Sequence, residues 1–156
     1  MLELIRKSSL SNDFIAKEHG VTVAELDRAT WSQNATVEIQ GKTYNFKKSG
    51  VLHSVYTLLD GRLEVTQVEQ PSAWQSKLVF RLDGKEYALD TKNWFSSALN
   101  VEQDGNLIGD IHSAGMLSST IVVDLPDLIP LHVRVFVGWI ALLRIEETAV
   151  VIGAAT

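Results

Sequence analysis

Cysteine is absent from the 156 residues of this chain, and its absence removes several kinds of chemistry at once. No disulfide, thiolate nucleophile or cysteine-ligated metal can form, so the fold depends on non-covalent contacts. Proline is also rare, and none of the three prolines interrupts a segment that alternates apolar and polar residues. Uninterrupted strands are therefore permitted through most of the sequence.

An excess of basic residues is missing as well. The chain has 14 Lys and Arg against 19 Asp and Glu, which gives a formal net charge of −5. Nucleic-acid-binding proteins usually carry a basic balance or a basic stripe, so we expect no nucleic-acid partner. Hydrophobic residues make up 46%, which argues against disorder, and the length suits one domain over residues 1–156.

Recognisable catalytic and metal-binding motifs are lacking too. No Gly-x-Ser-x-Gly, Walker A or dinucleotide-binding sequence occurs. The four histidines are not spaced as metal ligands; they are His19, His53, His112 and His132. We therefore expect no metal and no cofactor, and no motif supports an enzyme, although the fold could assemble a site from distant residues.

A secretory signal is not evident at the start of the chain. Glu3 and Arg6 interrupt the apolar residues there, whereas a signal peptide needs an unbroken apolar stretch. We accordingly expect a cytoplasmic location.

The chain does contain a regular series of glycines about twenty residues apart, each between two short alternating segments. They are Gly20, Gly41, Gly61, Gly84 and Gly105. This rhythm is typical of a β-meander, in which one tight turn joins each pair of strands. The clearest example is residues 78–90, where Asp83-Gly84 separates two alternating segments. We expect inward-facing return residues after the other turns also, including Val21, Leu63 and Leu107.

The number of alternating segments predicts about twelve antiparallel strands over residues 2–125. Links between neighbours are too short for parallel crossovers. Four identities recur at an offset of 43 residues, which indicates either duplication or convergence on hairpin chemistry. The first set is Trp31, Gly41, Lys42 and Tyr44, and the second is Trp74, Gly84, Lys85 and Tyr87.

The alternation stops at residue 128, and residues 128–145 predict an apolar helix. Arg134 is the only charge between Val133 and Leu143, so the helix must be surrounded by apolar groups on every side. Lipid is one such environment, but the segment is short for a membrane span and Arg134 is costly there. A buried parallel strand is another, and Gly138 and Trp139 fit it poorly.

The third environment is the inside of a closed barrel, and we expect this one. About twelve strands would enclose the helix and remove the sheet edges. Arg134 would then need a carboxylate or backbone carbonyls as partners. Residues 146–156 form a short tail that is small and apolar from Ala149 onward, and for this apolar part we consider a last strand, a capping segment or a frayed end. No transmembrane span is expected.

The order of elements resembles the tubby C-terminal domain superfamily, which includes phospholipid scramblases and LURP-one-related proteins. The resemblance lies in residues 82–89 (LDGKEYAL), 104–109 (DGNLIG) and 124–126 (DLP), followed by the apolar run 136–143. It implies a closed barrel threaded by the helix, and action at membranes through phosphoinositide binding or phospholipid association. The chain is shorter, acidic and without a cysteine cluster or calcium loop, so it looks like a compact prokaryotic relative.

The candidate ligand-binding residues are four basic side chains: Lys42, Lys47 and Lys48 lie on or beside one predicted strand, and a neighbouring hairpin contributes Arg62. Together they could hold a phosphate headgroup through charge-assisted hydrogen bonds. Alternatively, they are solvated lysines that discourage edge pairing.

Three functions follow from this interpretation. The first, which we prefer, is a non-enzymatic domain that binds anionic phospholipid headgroups or a membrane surface. The second is a soluble protein-interaction or structural module, favoured by the acidic net charge. The third is a small-molecule carrier, against which a helix filling the barrel argues.

Overall fold

The computed structural model describes residues 1–8, 10–28, 34–50, 53–72, 76–91, 98–115 and 118–155, and for residues 148–155 it describes the backbone. Within these ranges the chain forms twelve strands and one helix. The strands are β1 (Leu2–Arg6), β2 (Phe14–Glu18), β3 (Val21–Arg28), β4 (Ala35–Ile39), β5 (Lys42–Ser49), β6 (Val55–Asp60), β7 (Leu63–Glu69), β8 (Leu78–Leu82), β9 (Lys85–Thr91), β10 (Leu99–Gln103), β11 (Asn106–Ser113) and β12 (Ile121–Asp124). The helix is α1 (Leu131–Ala155).

The twelve strands close into one antiparallel barrel, as the sequence predicted. Each strand pairs with its neighbours in the chain, and β1 closes the ring by pairing with β12. The five glycine turns lie together at one end, which we name the turn end. The other strand ends, which are linked in the chain by the six longer connections 7–13, 29–34, 50–54, 70–77, 92–98 and 114–120, lie at the opposite end, which we name the loop end.

All five hairpin turns have two central residues, and their backbone angles explain the glycines. In four turns both central residues have positive φ, which is the type I′ pattern with Gly in second place. Asp83 and Gly84, for example, have φ of 51° and 76°. The turn at Gly61 differs because its central residues are Gly61 and Arg62, with Asp60 already paired to Leu63.

Three hairpins contain a β-bulge two or three residues after the turn, and there the predicted alternation is wrong. The register shifts in the pairs β2–β3, β6–β7 and β10–β11. Because a bulge adds one residue, the apolar residue before it faces outward instead of inward. Val21, Leu63 and Leu107 are accordingly 64%, 72% and 65% exposed.

The barrel interior is filled by inward-facing strand residues packed around α1. Phe46 contacts both Phe136 and Trp139, with ring centroids 5.1 Å and 5.5 Å apart. Tyr56 meets Trp139 edge-on at 5.9 Å. Phe136 and Trp139 are fully buried, so the prediction of an apolar helix enclosed by the chain's own strands is confirmed.

The bounds of the helix differ from the prediction at both ends. It begins at Leu131, where the amides of Val133 and Arg134 donate to the carbonyl of Pro130. It continues to Ala155, so residues 146–155 extend the helix and do not form a last strand. This segment contains no proline to interrupt the helix. No helix in the described part of the chain has the length and hydropathy of a membrane span.

The residues that recur at an offset of 43 occupy equivalent positions where they lie in the described residues, as both duplication and convergence predict. Gly41 and Gly84 occupy equivalent turns, and Tyr44 and Tyr87 are both buried inside the barrel. Trp31, Trp74 and Trp94 lie outside the described residues.

Candidate binding site at the loop end

Arg134 is the charged side chain that the sequence places inside the apolar helix, and both kinds of predicted partner are present. Its Nη1 donates to Glu18 Oε2 at 2.6 Å, and its Nε donates to the carbonyl of Ile129 at 2.9 Å. Asp127 lies 3.9 Å away. The charge is therefore paired at the turn end, where it serves the fold and is not offered to a ligand.

The four candidate basic residues do not form one cluster. Lys42 begins β5 at the turn end, whereas Lys47 and Lys48 lie near its other end, about 20 Å away at the usual rise of a strand. Arg62 is exposed in the β6–β7 turn and so belongs to the turn end with Lys42. The role of each residue in ligand binding stays a prediction, but one headgroup cannot contact all four.

Lys42 is engaged with other residues at the turn end. Its ammonium lies 2.6 Å from Asp60 and 5.5 Å from the ring centre of Tyr44, and the hydrogen bond to Asp60 raises the pKa of Lys42. Tyr44 stacks on His132 with ring centroids 5.2 Å apart. Burial, and then the charge of Lys42, lower the pKa of His132. These groups hold the start of the helix against β5.

Lys47, by contrast, has no ion-pair partner among the described residues and faces solvent beside a polar pocket. The pocket has a volume of about 260 Å³ and lies on the outer wall of β3, β4 and β5 near the loop end. Asn34, Asn45 and Lys47 contribute amide and cationic side chains to its lining, Asp27 contributes a carboxylate, and Arg28, Ala35, Thr36 and Phe46 complete it. The amide and ammonium groups can donate hydrogen bonds to an anion.

A second group of charges surrounds α1 where the helix passes the loop end, and we name it the collar. It consists of Arg6, Arg28 and Lys48 on the strands and Glu146 and Glu147 on the helix. Arg28 forms a two-pronged pair with Glu146, with both N–O distances at 2.8 Å, and Arg6 lies 3.9 Å from the same carboxylate. Lys48 donates to Glu147. The collar fixes the helix to three strands.

Charge divides unevenly between the two ends of the barrel. Within three residues of the hairpin turns and around the helix start, acidic side chains outnumber basic ones. The acidic residues are Glu3, Glu18, Glu38, Asp60, Glu64, Asp83, Glu86, Glu102, Asp104, Asp124 and Asp127, and the basic ones are Lys17, Lys42, Arg62, Arg81, Lys85 and Arg134.

At the loop end basic and acidic side chains balance among the described residues. The basic residues are Arg6, Lys7, Arg28, Lys47, Lys48, Lys77 and Arg144, and the acidic ones are Asp13, Glu25, Asp27, Glu69, Asp90, Glu146 and Glu147. The acidic net charge of the chain therefore resides at the turn end, and the loop end is the one compatible with an anionic surface.

One more surface feature is a seam in the barrel wall. Strands β7 and β8 share a single paired residue, Glu69 with Val79, and a pocket of about 400 Å³ lies beside it. The Thr66 hydroxyl donates to the carbonyl of Arg81 at 2.9 Å, so a side chain supplies a hydrogen bond where the two strands lack backbone pairing. Phe80, stacked on Tyr87, forms the apolar floor.

The described residues hold no group of three or more metal-ligating side chains. Comparison with protein-family models, with curated proteins and with solved structures finds no match.

Sequence reasoning missed Arg6, Arg28, Glu146 and Glu147. The signal was present, because Arg6 and Arg28 occupy the next inward register position after buried residues of β1 and β3. Two glutamates directly follow the apolar run of the sequence. Cations at these inward positions therefore predict ion pairs with the glutamates at the loop end.

Proposed function

We propose that this protein is a non-enzymatic binding domain that associates with anionic phospholipid surfaces through its loop end. The observation that carries the proposal is the division of charge, which leaves the loop end balanced on a protein whose turn end is strongly acidic. A surface of phospholipid headgroups attracts basic side chains and repels acidic ones. The barrel would thus approach such a surface with its loop end foremost.

Two features of the loop end support this orientation. Lys47 faces solvent next to the polar pocket that Asn34 and Asn45 also line. Leu10, in the connection between β1 and β2, is 98% exposed at the same end. A basic side chain near a headgroup contributes about 1 kcal/mol of attraction, and an exposed apolar side chain can enter the interface.

The same architecture underlies the proposed kinship with the tubby-like superfamily. A twelve-stranded closed barrel around a C-terminal apolar helix is the arrangement that the resemblance implies. Kinship of this kind would suit a lipid-associated role in place of catalysis.

Co-sedimentation with vesicles tests the proposal. Wild-type protein should pellet with phosphatidylcholine vesicles containing phosphatidylserine, not with phosphatidylcholine alone, and salt should weaken the binding. Lys47→Glu should lower the affinity about tenfold, because it reverses one charge at the headgroup level. Lys85→Glu makes the same charge change at the turn end and should leave binding nearly unaltered. Equal loss in both variants, or no binding by the wild type, would contradict the proposal.

A protein-interaction module is the second candidate, and one observation favours it. Val21, Leu63, Leu107 and Leu128 are exposed apolar side chains at the acidic turn end. Such a surface suits a protein partner with apolar and basic groups. If the partner is a second copy, light scattering should detect self-association that Leu107→Ser weakens, and monomers at all concentrations would exclude that form of the hypothesis.

A further inference from the structure

The collar contains more hydrogen-bond donors than its two glutamates use. Arg6 Nε and Arg28 Nε are both buried and have no acceptor in the described structure. The Arg28 side chain is only 10% exposed, and Lys48 is 17% exposed. Buried donors of this kind are costly unless an acceptor satisfies them.

Packing holds the two guanidinium groups in place. Arg6 and Arg28 both lie over the ring of Phe14, 5.5 Å and 6.0 Å from its centre. Lys48 lies 5.8 Å from the ring centre of Tyr56. The three cations are thus fixed on strands of a rigid barrel, whereas the acceptors are carried by the helix.

Carboxylates and phosphates offer guanidinium groups the same pair of oxygens. The bidentate contact that Arg28 makes with Glu146 is also the contact that Arg prefers with phosphate. Three cations face two carboxylates, so the strand side of the collar has one positive charge in excess.

We propose that Arg6, Arg28 and Lys48 form a phosphate-binding site that Glu146 and Glu147 occupy within the chain. A phosphate group that reaches the loop end displaces the two carboxylates and takes their place on the three cations. The inference deepens the proposed function, since a membrane that docks at the loop end would present such phosphates. The shared chemistry is a phosphate group, from either a lipid headgroup or a soluble anion.

Displacement would also change the end of the helix. Residues 148–155, which follow the collar, have the sequence TAVVIGAA with no charge. Once Glu146 and Glu147 leave the cations, the ion pairs that anchor the helix nearest to this segment are lost. Phosphate binding and the environment of the helix end are therefore coupled.

Calorimetric titration with inorganic pyrophosphate tests the site without any membrane. The double variant Glu146→Gln, Glu147→Gln should bind pyrophosphate roughly tenfold more tightly than wild type, because two competing carboxylates are gone. The variant Glu38→Gln, Glu64→Gln removes the same charge from exposed positions at the turn end and serves as the control. If the double variant does not fold, Glu147→Gln replaces it.

Because the chain has no cysteine, a single label can report the helix end. An environment-sensitive dye on Ala154→Cys should shift its emission when pyrophosphate binds, and the shift should be absent in an Arg28→Gln background. In a second experiment, anionic vesicles replace pyrophosphate and the emission of the same dye is measured. A response to pyrophosphate without vesicle binding would uphold the inference and refute the proposed function. Equal pyrophosphate affinity in wild type, control and Gln variant, or no pyrophosphate binding in any of them, would overturn the inference.

Discussion

For individual residues, burial makes the type of interaction partner predictable from the sequence. Arg134 lies alone in an apolar helix, and an unpaired buried charge is so costly that a carboxylate or carbonyl partner could be predicted. The identity of the partner could not, because Glu18 lies 116 residues away in the chain. For Lys42 and Lys48 not even the type of partner could be predicted, because nothing in their local sequence indicates the ion pairs with Asp60 and Glu147.

His132 gives a residue-scale prediction for pH. Its folded-state pKa is lowered below the ordinary 6.5 by burial and by Lys42, so the unfolded chain takes up a proton first. The free energy of unfolding should therefore fall as pH decreases from about 6.5 toward the lowered value. His132→Phe keeps a ring against Tyr44 and cannot titrate, so it should flatten this part of the curve.

Urea unfolding of both proteins between neutral and mildly acidic pH measures the effect. The comparison of wild type with variant at each pH removes the contribution of all other groups. A variant curve parallel to the wild-type curve across this window would show that His132 does not titrate on unfolding.

At the scale of elements, the sequence predicted the strands and their turns but not the bulges. Gly41 and Gly84 mark regular hairpins, and there alternation predicted the inward residues correctly. Leu63 and Leu107 follow equally clear turns yet face outward. A bulge forms in response to the twist and closure of the whole barrel, which no short segment encodes.

Gly109 provides a prediction about one of these bulged strands. A Cβ at this position would lie 2.1 Å from the carbonyl oxygen of Asp124 on β12, and backbone cannot move aside as a side chain could. Gly109→Ala should lower the free energy of unfolding by about 2 kcal/mol or more. Gly115→Ala is the control, because the nearest atom to its Cβ would be 3.9 Å away.

Thermal or urea denaturation of the two variants and the wild type measures these differences in the free energy of unfolding. Gly115→Ala should stay within about 0.5 kcal/mol of wild type, as surface substitutions usually do. Equal stability of the Gly109 variant and the wild type would mean that β11 and β12 do not approach each other this closely.

At the scale of the molecule, the fold was predictable because five turn glycines and one apolar helix leave few arrangements. Closure of the strands around the helix buries Phe136 and Trp139 together with the sheet faces. The candidate site was less predictable. The position of Lys42 and Lys48 at opposite ends of β5 follows from strand geometry, but only the completed barrel shows that Lys48 lies beside Arg28, Glu146 and Glu147.

The central claim is that the loop end, and not the turn end, meets an anionic membrane. Single nitroxide labels at Ser49→Cys and Asn106→Cys place one probe at each end, both at exposed positions. With vesicles that contain phosphatidylserine and a gadolinium-chelating lipid, the Ser49 probe should be relaxed strongly and the Asn106 probe little. Stronger relaxation at Asn106, or equal relaxation at both sites, would contradict the account.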